Sequence, residues 1–209
     1  MSNEISLKET ERKVFISMFQ DGLVDVAIGG FLLMFAIAPY LSRFLGDFWS
    51  SVVFLPFWAV LYLILWLIRK YVIAPRVGIV KYGQWRVSRM MRFNVVIFIL
   101  LTLSLVLGIL SFVRFDAVPG WVHTARFSLI FLIGFSIAGF FLDFTRLYLY
   151  GVMIALAPLI GEVLFQYLHV PHHGFPVTFG FASGFITLIG LVLFTRFVRE
   201  HPLQYDQCE

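Results

Sequence analysis

The chain has 209 residues, of which 60% are hydrophobic, 18% aromatic and only 13% charged. Soluble globular domains carry about a quarter charged residues, so this composition excludes an ordinary water-soluble domain and points to lipid as the solvent. The length suits one domain, and the formal charge of +4 finds its explanation in membrane threading rather than in nucleic acid, which is not expected as a partner.

The 25 Phe and the long apolar runs indicate an all-α polytopic membrane protein, because lipid-facing β-strands alternate polar and apolar residues. Residues 1–21 are polar, then amphipathic, and read as a cytoplasmic segment. Ser6-Leu7-Lys8-Glu9 fits a capping box. Leu7, Val14, Phe15, Met18 and Phe19 then fall on one helical face, the pattern of an interfacial helix lying on a membrane surface. Ala36-Ile37-Ala38 mimics a signal-cleavage pattern, but Glu4, Glu9, Glu11 and Asp21 precede it and Pro39 follows at once. The first helix is therefore expected to be retained.

A helical span needs about 20 apolar residues to cross roughly 30 Å of hydrocarbon. The sequence predicts six transmembrane helices, at 22–41, 51–68, 93–113, 126–142, 147–168 and 177–197. Together they make a domain over 22–197 built as three hairpins, followed by a cytoplasmic tail at 198–209. Residues 42–50, 114–125 and 169–176 serve as connections, the last carrying Pro171, Gly174 and Pro176. Only Asp143-Phe144-Thr145-Arg146 separates the fourth span from the fifth. One helix from 126 to 168 would measure about 64 Å at 1.5 Å per residue, twice the bilayer, so the run is expected to break at that tetrapeptide. Asp143 and Arg146 are expected to pair there.

Between the second and third spans lies 69–92, with Arg69, Lys70, Arg76, Lys81, Arg86, Arg89 and Arg92 and no acid. Lysine and arginine concentrate on the cytoplasmic side of membrane proteins. With this loop inside, only Arg43, Arg114 and Arg126 of the sixteen bases fall outside. Five spans would export Arg196 and Arg199. The expectation is a multi-pass protein integral to a cell membrane, with cytoplasmic N- and C-termini. Pro75-Arg76-Val77-Gly78 reads as a turn and 79–82 as extended, while Arg86, Arg89 and Arg92 recur at every third position along a helix. Such a surface suits anionic lipid headgroups, on the order of 1 kcal/mol per base, or an acidic protein partner.

Small residues let helices approach in lipid. Gly180-Phe181-Ala182-Ser183-Gly184 in the sixth span, and Gly134 with Ala138 in the fourth, are expected to serve packing within the chain, with a homo-oligomer seam as the alternative.

Ionisable residues within spans are functional candidates by default. Asp21 and Asp25 share a helical face at the start of the first span, either as a cation or proton site or as a polar tether favoured by the helix dipole. Glu162 lies one turn after Pro158 in the fifth span and is a candidate for ion or proton coupling, or for a hydrogen bond to a neighbouring span or to His169. His169, His172 and His173 on the outer side, with His123 on the other outer loop, could ligate zinc only if Glu162, Asp116 or His123 completed a tetrahedron; exposed loop histidines are the default, and neither a metal nor a cofactor is expected. Cys208 is the lone cysteine and forms no internal disulfide. Nucleotide-binding glycine motifs and the G-x-S-x-G elbow are absent from the sequence. The expected role is a non-enzymatic membrane component, permease-like or an assembly protein. The alternatives are a membrane-embedded enzyme acting on a lipid-linked substrate through Asp25 or Glu162, and an ion or proton pathway past Glu162.

Overall fold

The computed structural model describes residues 19–77, 84–113 and 120–202. The capping box, the extended stretch at 79–82, Lys81, Asp116 and Cys208 lie outside the described residues. Among those described, the chain is all helical and holds no strand. Six helical segments are long and apolar enough to cross a membrane. They centre on α1 (Leu23–Val52), α2 (Phe54–Ile68), α3 (Gln84–Val113), α4 (Gly120–Leu142), α5 (Arg146–Leu168) and α6 (Phe175–Glu200).

Most of these helices outrun the apolar runs that announce them. Hydropathy marks the part of a helix that matches lipid, whereas backbone hydrogen bonding carries the helix on through polar flanks such as Gln84 to Arg92. The connection expected at 42–50 is itself mostly helical, with a kink where Gly46 takes φ 77° and ψ 166°. The expected turn at Pro75 is likewise helical. After Ile68 the chain widens into a π-helix over Arg69–Ile73 and closes with an α-turn over Ala74–Val77. A proline ring normally clashes with the carbonyl four residues back, and the π-widening just before Pro75 relieves that crowding.

The chain forms two compact units, Met1–Lys81 with Phe179–Glu209, and Tyr82–Thr178. In the first, α1 and α6 cross with their backbones touching. A Cβ on Gly22 would collide with the carbonyl oxygen of Gly190, and a Cβ on Gly190 would lie 2.8 Å from the Val26 nitrogen and 2.9 Å from the Gly22 oxygen. Further along, the Ser183 hydroxyl donates to the Gly29 carbonyl at 2.8 Å, and Phe35 stacks on Phe179 with centroids 5.1 Å apart. Leu32, Phe179 and Ile186 are fully buried. Phe179, Ser183, Ile186 and Gly190 recur at helical spacing, which defines the inward stripe of α6. The GxxxG motif does not supply that seam. Gly184 is exposed and has nothing among the described residues within 4 Å of a Cβ, and Gly180 meets Ala36 only at an ordinary 3.7 Å. α2 packs on α1 through Leu61 against Gly30 and Trp58 against Phe31 and Met34.

In the second unit α4 packs on both α3 and α5, with Phe93 against Phe141 and Gly151 against Phe135. α4 stops at Leu142 because Asp143 turns left-handed, φ 53°. The Phe144 N–H then reaches back to the Gly139 carbonyl at 3.1 Å. This is the closure of a Schellman cap, with aspartate standing where glycine is usual. The inward face of α5 carries Leu147, Tyr150, Ile154, Ala157 and Pro158.

Candidate functional site

Three polar groupings stand out in this apolar chain. The first is the basic segment. Arg69 and Lys70 are exposed where α2 passes into the π-helix, with the Lys70 ammonium 4.9 Å from the Trp66 ring centroid and 5.3 Å from that of Tyr71. Arg76 rides the α-turn, and its Nε and Nη1 are buried without a hydrogen-bond partner among the described residues. Arg86 lies on α3, and Arg92 is exposed on the same helix.

Arg89 is different, because its charge is engaged within the fold. Its Nη1 donates to Asp143 Oδ2 at 2.8 Å, and its Nη2 donates to Asp143 Oδ1 at 3.2 Å and to the Phe140 carbonyl at 2.6 Å. The planar fork matches a carboxylate in both hydrogen bonds. It also satisfies one of the last carbonyls of α4, where a cation meets the negative end of the helix dipole. Asp143 thus receives a partner from 54 positions away in sequence. The Arg146 guanidinium sits 4.8 Å from the Phe144 ring centroid.

The second grouping is Asp21 and Asp25 at the start of α1. Asp21 Oδ1 accepts the Leu23 N–H at 3.0 Å, an Asx-type turn that carries the chain into the helix. Both carboxylates are deeply buried, with Asp21 3% and Asp25 0% exposed. Both stand in or beside the first turn, where the positive end of the dipole favours them.

The third grouping is centred on Glu162, whose side chain is 16% exposed. Gln166, one turn on, donates Nε2–H to Oε1 at 3.2 Å, and the Nδ1 of His173 lies 3.1 Å from Oε2. His169, one of the partners weighed for Glu162, ends α5 in a left-handed conformation, φ 55°. His172 and His173 follow at φ 57° and 53°. Three non-glycine residues in the left-handed region within five positions make a costly arrangement that only a closely determined surrounding sustains. Part of that surrounding is visible. Gly161 and Gly174 touch backbone to backbone, such that a Cβ on Gly161 would lie 2.6 Å from the His173 oxygen and one on Gly174 would lie 2.6 Å from the Gly161 oxygen. The His173 ring also packs on Phe165, with centroids 4.3 Å apart. This contact brings a histidine eleven residues distant onto the carboxylate.

Beside Glu162, a cleft of about 230 Å³ opens between α4 and α5, lined by Trp121, Thr124, Leu159, Glu162, Val163 and Gln166. The histidines do not assemble as a metal centre: among the described residues no three His, Cys, Asp or Glu side chains converge as ligands. His123 lies on α4, half-buried. Helical spacing makes Gln166 readable from the sequence as a partner of Glu162, whereas His173 lies beyond two left-handed residues and a proline, where no periodicity reaches.

No family model matches the chain, and no curated protein or solved structure matches it.

Proposed function

We propose that this chain is an integral membrane protein that crosses the bilayer six times as three hairpins and gathers anionic lipid headgroups at its basic segment, 69–92. The observation that carries the reading is α2. None of its fifteen residues is buried, and Leu55, Val60, Tyr62, Leu63, Ile64, Trp66 and Leu67 are all exposed. In water such a helix would be an aggregation site; in lipid it needs no protein cover. It runs directly into Arg69 and Lys70, flanked by Trp66 and Tyr71, the aromatic and basic combination that settles at headgroup level. Both ends of the chain then lie in the cytoplasm with that segment, and the protein works without an intrinsic enzymatic activity, as a permease-like or assembly component of the membrane. With Arg89 held by Asp143, headgroup binding falls to Arg69, Lys70, Arg76, Lys81, Arg86 and Arg92.

Cys208, the single cysteine, is a built-in reporter of threading. A membrane-impermeant maleimide should label it only after cells are permeabilised, and labelling of intact cells would overturn the cytoplasmic C-terminus. Lipid gathering is tested by mass spectrometry of protein purified from mixed phosphatidylglycerol and phosphatidylcholine. Wild type should retain the anionic lipid selectively, and Arg76→Glu with Lys81→Glu should lose that selectivity; unchanged retention would remove the docking role.

The Glu162–His173 pair favours a second reading, ion or proton passage past Glu162. Proteoliposome flux indifferent to Glu162→Gln would eliminate it.

A further inference from the structure

We propose that the cleft between α4 and α5 is a binding site for a small organic ammonium cation, with Glu162 as the counter-charge and Trp121 as the aromatic wall. Glu162 is the only charged residue lining the cleft. Its carboxylate is held by Gln166 and His173, and both can donate a hydrogen without bringing a positive charge, the imidazole through its Nδ1–H tautomer. An ionised carboxylate has about four acceptor positions, and these two bonds occupy only half of them. Orientation is therefore supplied while negative charge is left over, since the described residues place no lysine or arginine in a salt bridge with Glu162.

The remaining walls decide which cation suits the site. Leu159 and Val163 are apolar, and Trp121 is largely exposed. A hard metal ion asks for about six oxygen ligands, and one carboxylate with a threonine hydroxyl and the Gln166 amide oxygen falls short. An ammonium carrying alkyl groups needs only a single counter-charge, an indole face and apolar contact. The volume of about 230 Å³ lies below the roughly 300–1,000 Å³ of drug-sized pockets, which limits the occupant to a compact head group. The Gly161–Gly174 contact fixes His173 against the carboxylate and so presets the site before any ligand arrives.

The test is calorimetric titration of the full-length protein in neutral detergent with tetraethylammonium chloride, at constant chloride. Saturable millimolar binding is expected, with Glu162→Gln weakening it about tenfold or more and Trp121→Leu about fivefold. Glu162→Gln preserves side-chain size, and its unfolding midpoint, recorded alongside, shows whether the fold is intact. Should that variant misfold, Trp121→Leu carries the decision on its own. No saturable binding to wild type, binding undiminished by either substitution, or equal competition by potassium chloride would each overturn the proposal.

Discussion

Two glycine contacts in this chain, Gly22 with Gly190 and Gly161 with Gly174, each bring a carboxylate to a helix junction and leave it in opposite circumstances. At the first, Asp25 is sealed completely, 0% exposed, in the opening turn of α1. At the second, Glu162 keeps 16% of its side chain exposed on the edge of a cleft, beside a histidine that is 56% exposed. A sealed carboxylate can only tie elements together, because anything binding it must first open the crossing. A carboxylate at a cleft edge is held on one side and accessible on the other. The contrast suits the first junction to cohesion and leaves the second open to the recognition proposed above.

Substitutions can break or sharpen that contrast. The largest effect is expected at the sealed crossing. Gly190→Leu drives a side chain into the Val26 and Gly22 backbones, which cannot yield as a flexible side chain does, and should cost on the order of 4 kcal/mol. Thermal unfolding in detergent would read this as loss of a monodisperse, cooperatively melting species. Asp25→Ala should follow at about 3 kcal/mol, because removing a buried carboxylate strands the polar groups around it. A smaller loss than that of Glu162→Gln would reverse the assignment of roles. Next comes the fork of Arg89 on Asp143, with side chains 19% and 12% exposed. A double-mutant cycle with Arg89→Ala and Asp143→Ala should give a coupling of about 1.5 kcal/mol. Arg89→Lys should not restore it, since an ammonium cannot fill both positions of the carboxylate and the Phe140 carbonyl together. Glu162→Gln should be the mildest, within about 0.5 kcal/mol on stability, and should act on cation binding alone.

Much of the helical layout was legible because a helix fit to cross lipid has a bounded length. A run from 126 to 168 is too long for one crossing, which identifies Asp143 to Arg146 as the break without any turn residue to mark it. The tertiary partners were not legible. Arg89 looks like one more base in a run of seven, and nothing near it in sequence reveals that Asp143, 54 residues on, will take its fork. Packing within the chain was expected of the GxxxG at 180–184; Gly180 does meet Ala36, yet Gly184 is exposed. The glycines that matter, Gly22 and Gly190, sit far apart in sequence and form no motif. His169, two turns on, was one partner weighed for Glu162. The left-handed residues at 169, 172 and 173 redirect the chain and deliver His173 instead.

The π-helix over Arg69–Ile73 acts as a one-residue insertion in the screw of α2. Everything beyond it, Arg76 included, is rotated by about 100° from where an uninterrupted α-helix would carry it. Inserting an alanine after Ile73, beyond the wide turn, would therefore swing the Arg76 guanidinium by about a further 100° around the helix axis while leaving the tally of charges on 69–92 unaltered, whereas deleting Val72 would close the wide turn and leave that direction as it is. Azimuth and charge become separable, so the headgroup binding proposed for this segment can be asked whether it depends on how much positive charge is present or on the direction in which it points.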